Sequence, residues 1–175
     1  MKLIKVIVTG PESTGKTILC QALAKKYNTV WIPEYARTYV ENLTEKYTYQ
    51  DVEHIANVQF NELSKKNENA NKYVFFDTGL IITKIWFQEV FGKYPDYLDE
   101  MIRKTAPDFY FLCFPDIEWQ PDSVRENGGE KRMDLFNKYE NQLIHFNFKY
   151  HIIKGINNQR IENAIEFLNR HKVCK

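Results

Sequence analysis

The chain has 175 residues, 24 Lys and Arg against 23 Asp and Glu, and a formal net charge of +1, a length that suits one domain with its own apolar core. Balanced charge without a block of one sign excludes binding of nucleic acid by bulk electrostatics, so an anionic ligand must be held locally. Cys20, Cys113 and Cys174 show no metal-type pairing, which speaks against a zinc site or disulfide framework and suits free thiols in a reducing cytosol.

In chain order, the first element is an apolar strand over residues 3–9, interrupted by Lys5 and too short for a signal sequence. No apolar run is long enough to cross a bilayer, so a cytoplasmic protein that engages neither membrane nor nucleic acid is expected. The sequence carries no signal for an oligomeric state. The strand runs into "GPESTGKT", which fits G-x-x-x-x-G-K-[ST] and is followed by "ILCQALAKKY", a helix whose expected buried face is Ile18, Leu19, Ala22 and Leu23. Strand, loop and helix together make a phosphate cradle. Gly10 allows a tight exit from the strand, Gly15 lets backbone N–H groups approach phosphate oxygens, and the helix N-terminus adds partial positive charge. Lys16 is expected to bridge the β- and γ-phosphates, and Thr17 to offer its hydroxyl to Mg²⁺. The predicted donor site is Gly10, Glu12, Ser13, Thr14, Gly15, Lys16, Thr17 and Ile18, with ATP and Mg²⁺ as cofactors. The plain alternative is a Gly/Lys turn without a ligand.

A second strand over residues 29–32 leads into "WIPEYARTY". Pro33 fixes the chain before Glu34 and Arg37, which emerge at the carboxyl edge of a parallel sheet, where ligands collect. Glu34 is a candidate general base for a substrate hydroxyl and Arg37 a clamp on phosphate oxygens, with Tyr35 beside the substrate. A surface Glu/Arg pair on a helix is the alternative. Thr48 then caps a helix with Val52, Ile55, Ala56, Gln59 and Leu63 on one face. A third strand over residues 73–76 ends in "YVFFD", placing Asp77 as a second Mg²⁺ anchor beside Thr17, unless it serves as the N-cap of "TGLIITKIWFQEVFG".

A fourth strand over residues 109–114 precedes the long polar stretch "PDIEWQPDSVRENGGEKRMD". Loops of this length are often functional, and a lid over about residues 120–135 is expected. Arg125, Lys131 and Arg132 would close on the transferring phosphoryl group and exclude water. Asp116, Trp119 and Asp122 suit a flat, cationic ring on the acceptor, with packing of Trp119 against the sheet as the alternative, whereas Trp31 and Trp86 are expected in the core. A fifth strand spans residues 150–153. Short apolar strands alternating with helical stretches predict an α/β fold, a five-stranded parallel sheet between two helical layers in a single domain, 1–175.

"GPESTGKT", "WIPEYAR", the Gln59 helix, "FFDTGLIITKIWFQEVFG" and "DIEWQPDSVR", in this order, resemble the ribosylnicotinamide kinase domain of NadR-type proteins, which is grouped with small AAA-like P-loop domains. The resemblance covers nearly the whole chain. It implies ATP-dependent phosphorylation of the 5′-hydroxyl of nicotinamide riboside to nicotinamide mononucleotide. It places Glu34 and Arg37 at the nucleoside and phosphate, Asp77 near Mg²⁺ and the 5′-hydroxyl, and Asp116, Trp119, Asp122 and Arg125 at the lid entry. Members of the family can carry nucleotidyl-transfer and helix-turn-helix domains, for which 175 residues leave no room, so no repressor activity is expected. The chain departs from the family pattern at Glu118, in "DSVR" and in "DTG". A P-loop kinase of another nucleoside stays open, as does a slow P-loop ATPase switch; a GTPase is disfavoured because "NKYE" at Asn137 is no guanine reader.

Overall fold

Strands buried on both faces call for helices above and below them. The computed structural model, which describes residues 3–121 and 128–171, meets that need with twelve elements in chain order. These are β1 (Ile4–Thr9), α1 (Lys16–Lys26), β2 (Trp31–Ile32), α2 (Tyr35–Glu41), α3 (Tyr49–Ser64), β3 (Tyr73–Asp77) and α4 (Leu80–Phe91). After them come α5 (Leu98–Lys104), β4 (Phe109–Cys113), α6 (Lys131–His145), β5 (Tyr150–Ile153) and α7 (Asn158–Arg170). The five strands lie in the order β2-β3-β1-β4-β5 and every pairing is parallel. The predicted α/β class, strand count and sheet direction are all borne out.

Alternate side chains of the strands feed two cores. Val6, Val8, Phe75 and Phe111 pack with Leu19 and Leu23 of α1 and Ala164 and Leu168 of α7. Ile7, Val74, Phe76 and Leu112 face α3, α4, α5 and α6. The helix after Thr48 follows its sequence: Thr48 and Asp51 form a reciprocal capping box, and Val52, Ile55, Ala56, Gln59 and Leu63 are buried. The first helix differs from expectation. Its buried stripe is Leu19, Cys20, Leu23 and Ala24, while Ile18 is 67% exposed, because the strand-facing side begins one residue later. Ile18 is thereby freed for the site. β2 is shorter than expected because Thr29 turns aside: its hydroxyl donates to the Tyr73 carbonyl and accepts from the Asn71 amide. Among the described residues no helix is long and apolar enough to cross a membrane.

With β1 central, the loop after it opens outside the carboxyl ends of the strands, where ligands of such sheets gather. The register pairs Val8 with Asp77, so the end of β3 lies directly beside that loop.

Candidate active site

The loop between β1 and α1 is shaped by two glycines. Gly10 has φ +136°, and a Cβ there would stand 2.7 Å from the Cys113 carbonyl oxygen, a position closed to any other residue. Gly15, at the N-cap of α1, has φ +73°, and a Cβ on it would meet Ile117 Cδ1 at 3.3 Å. The buried Thr14 hydroxyl donates to the Pro11 carbonyl at 2.8 Å. Lys16 Nζ donates to the same carbonyl at 2.8 Å, so the ammonium is folded over the loop whose ligand it would hold. The open amides at the start of α1 and this cation together form an anion seat.

Asp77 completes the phosphate end from beneath. Thr17 Oγ1 donates to its Oδ2 at 2.5 Å, and its Oδ1 is buried with no hydrogen-bond partner. A hydroxyl and a carboxylate oxygen with spare acceptor capacity fit Mg²⁺, which takes one or two protein oxygens and completes its shell from water and phosphate. Asp77 is not the cap of α4, since the N-cap position is Gly79 and no side chain caps it. The next residue, Thr78, has φ +73°. A β-branched residue in that region is strained by about 1–3 kcal/mol, and the strain sits at the turn that presents Asp77.

Burial pushes the Asp77 carboxyl above its ordinary range, against the Thr17 hydrogen bond and the charges of Lys16 and Arg37. Glu34, at the N-cap of α2, is likewise raised by burial, with Lys16 and Arg37 opposing and Asp77 adding to the rise. Two carboxylates and two cations thus share one electrostatic cluster. Arg37 also binds Glu41 Oε1 at 2.9 Å, so it pairs along its own helix and still faces the site.

A cavity of about 330 Å³ is bordered by Lys16, Glu34 and Arg37, while Asp77 lies behind Thr17 and off its wall. The phosphate loop lines it, with Gly10, Glu12, Ser13, Thr14, Gly15, Lys16, Thr17 and Ile18 all on its wall; Glu34, Arg37 and Lys131 border it too. Val40, Tyr47, Ile82, Trp86, Glu89 and Tyr139, from α2, α4, α6 and the approach to α3, complete the wall as a largely aromatic and apolar chamber. Tyr47 and Trp86 meet edge to face, with centroids 4.7 Å apart at 78°, and Glu89 is held by Lys138 at 2.5 Å.

Several expected residues stand elsewhere. The Tyr35 hydroxyl meets His54 Nε2 at 2.9 Å, and the residue borders a separate small pocket that includes Asp77 and Gln59. Asp116 accepts from the Gly155 amide at 2.7 Å and pairs with Arg160. Trp119 packs over Gly128, where a Cβ would lie 3.2 Å from its ring. Neither Asp116 nor Trp119 lines the chamber. Arg132 is buried and donates to the carbonyls of Ile117 at 2.8 Å and Ser13 at 3.0 Å, bracing the phosphate loop. The expected lid boundary also moves, since Lys131 already opens α6; Asp122 and Arg125 lie outside the described residues.

Trp86 packs against the core as expected and in addition lines the chamber, where Tyr47, Glu89 and Tyr139 join it from three further positions. Part of that signal was in the sequence. Ile82, Trp86 and Glu89 recur at helical spacing directly after Asp77, on one face of the helix that the strand end must launch.

The chain is 27% identical over 129 residues to the trifunctional NAD biosynthesis/regulator protein NadR of Salmonella typhimurium, and equally to that of Escherichia coli K12; each match covers 70% of this chain and 31% of the relative. The solved structure of a NadR protein in complex with NR superposes with a TM-score of 0.74 at 26% identity, over 98% of this chain and 50% of that one. A NadR complex with NAD and AMP-PNP gives 0.73 at the same identity and coverage. The chain therefore spans about half the length of the solved NadR chains and under a third of the curated relatives. Thymidylate kinase from Ehrlichia chaffeensis, 15% identical with a TM-score of 0.65, shares the fold. Residues 5–160 match the AAA domain family, and the chain belongs to that family.

Proposed function

We propose that this chain transfers the γ-phosphoryl group of ATP to the 5′-hydroxyl of nicotinamide riboside, giving nicotinamide mononucleotide and ADP. The observation that carries the reading is one cavity whose wall takes in the phosphate loop, an aromatic chamber and the carboxylate of Glu34. The NadR complexes with NR and with AMP-PNP support the same assignment of donor and acceptor.

The residues then divide the work. The loop amides and Lys16 take the β- and γ-phosphates, which requires Lys16 to leave the Pro11 carbonyl. Thr17 and Asp77 would hold Mg²⁺, whose chemistry when bound is to neutralise charge on the bridging phosphate oxygens. Glu34 accepts the proton of the 5′-hydroxyl as its oxygen bonds to the γ-phosphorus and the bond from phosphorus to the β,γ-bridging oxygen breaks, leaving ADP. Arg37 and Lys131, both on the cavity wall, would neutralise charge on the transferring group. The faces of Trp86 and Tyr47, with Glu89 nearby, suit a flat ring that carries positive charge. The described residues make one sheet with helices on both faces, which supports reading 1–175 as a single kinase domain; small-molecule substrates and a cytoplasmic place of action belong to the same proposal.

The test is Mg·ATP turnover by purified protein with nicotinamide riboside, uridine, cytidine, adenosine or no acceptor, following phosphorylated product by mass. Nicotinamide mononucleotide with little background ATP loss is expected. ATP loss indifferent to every acceptor would sink the transferase reading.

A further inference from the structure

Two buried arginines hold the loop after β4 from different sides. Arg132 reaches it from α6 through the Ile117 carbonyl. Arg160, in the first turn of α7 and 3% exposed, reaches it from the other end of the sheet. Its Nε donates to the Gly155 carbonyl at 3.1 Å, Nη1 to the Ile153 carbonyl at 3.1 Å and Nη2 to the Phe114 carbonyl at 3.1 Å. Nη2 also pairs with Asp116, whose second oxygen accepts from the Gly155 amide. One guanidinium thus ties the ends of β4 and β5 to each other. A buried cation is retained only where it is paired and bonded, and four of this one's hydrogen bonds hold the strand ends and loops after β4 and β5.

Those loops border the phosphate seat. A Cβ on Gly15 would lie 3.3 Å from Ile117 Cδ1 and 3.8 Å from Arg160 Cδ, and the exposed Ile18 stands on the cavity wall next to that glycine. The chamber is walled from α2, α4, α6 and the approach to α3 and takes no residue from the loops after β4 and β5 that Arg160 ties, and those two strands lie across β1 from β3. A triphosphate whose γ-phosphate faces Glu34 and the chamber then has its nucleoside end on the side of Ile18 and the loops that Arg160 fixes. We propose that Arg160, held by Asp116, is a positioning residue for the nucleoside end of the phosphoryl donor. It sets the gap between the segment after β4 and the segment after β5, with Ile18 and Ile117 as the apolar floor. This rests on the donor being a nucleoside triphosphate, as in the proposed function.

The experiment titrates the full chain, its Arg160→Met and Arg160→Lys variants and Asp116→Asn with Mg·ATP and, separately, with Mg·tripolyphosphate, which fills the phosphate seat without a nucleoside. Arg160→Met should weaken Mg·ATP by about tenfold or more and tripolyphosphate by less than about twofold. Arg160→Lys should recover part of the loss, since a lysine reaches fewer of the four acceptors. Equal losses for both ligands would make Arg160 a general brace of the phosphate loop and overturn the inference, as would unchanged ATP affinity in a folded variant. Should Arg160→Met fail to fold, Asp116→Asn decides by the same ratio, with an ATP-selective loss of about threefold expected. Wild-type protein that binds no Mg·ATP would overturn the kinase reading and this inference together; wild-type binding without ATP selectivity in the variants would overturn this inference alone.

Discussion

The cavity wall is made from two kinds of material. The part proposed for the donor, the donor end, is one loop and the start of one helix: eight of the nine residues from Gly10 to Ile18, with two glycines whose missing side chains make room for Cys113 and Ile117, and the open amides of α1. The part proposed for the acceptor, the acceptor end, draws on separate elements, with Val40 from α2, Tyr47 from the approach to α3, Ile82, Trp86 and Glu89 from α4 and Tyr139 from α6. A triphosphate has the same shape in every enzyme that uses it, so a local backbone mould serves. An acceptor ring must be distinguished from others, and that takes side chains converging from distant elements.

The largest expected effect tests the donor end. Lys16→Ala removes the cation that leaves Pro11 for the phosphates, and kcat should fall by about 10³-fold or more, with a melting temperature close to wild type because the ammonium is only partly buried. Normal turnover in this variant would break the phosphate-seat assignment and with it the contrast between the two ends.

This division explains what could be read from the sequence. The strands, the parallel sheet, the Thr48 cap and the whole phosphate loop follow from spacing within short windows, where local sterics decide the outcome. Asp77 was legible because it ends a strand whose register against β1 is fixed by the sheet. The acceptor wall was not. Trp86 looks like a core residue in any window of α4, and only the packing of α4 against α6 and the Tyr47 segment turns its ring toward a cavity. Asp116 and Trp119 failed to reach the chamber for the converse reason. Their motif is local, but Arg160, 44 positions away, captures the carboxylate.

Glu34 lines the same cavity as both the donor and the acceptor end. Glu34→Gln should lower kcat by about 10²-fold or more if the carboxylate takes the acceptor proton. Burial raises this group above its ordinary value of 4.5, so wild-type kcat should climb as pH rises through that displaced value and the base ionises. The same limb should be missing from the residual activity of Glu34→Gln. An unchanged kcat, or a limb that persists in the variant, would return Glu34 to the surface of α2.

The acceptor end is tested by a pair of tryptophans. Trp86→Ala should raise the KM for the acceptor about tenfold, as loss of one stacking face costs about 1–3 kcal/mol, and leave the KM for ATP within about twofold. Trp119→Ala, packed over Gly128, should show no such split. If the two variants exchange these behaviours, the acceptor lies under the loop after β4 and the chamber has another use.

The smallest effect is thermal, and it separates what the site does from what the fold prefers. The folded pKa of Asp77 lies above the ordinary 3.8 because burial penalises its charge. Between those two values the folded state binds more protons than the unfolded chain, so stability falls as pH rises through that window, and the full penalty persists above it. Asp77→Asn removes the charge, while its amide oxygen can still accept from Thr17. In metal-free protein near pH 7 the variant should melt higher than wild type, on the order of 2–4 °C, and the difference should close as pH falls below 3.8. The same variant should lose the extra stabilisation that Mg·ATP gives to wild type. A variant less stable than wild type at neutral pH would mean that the lone Oδ1 of Asp77 has a partner in solution, and the carboxylate would then belong to the architecture of β3 and not to the metal.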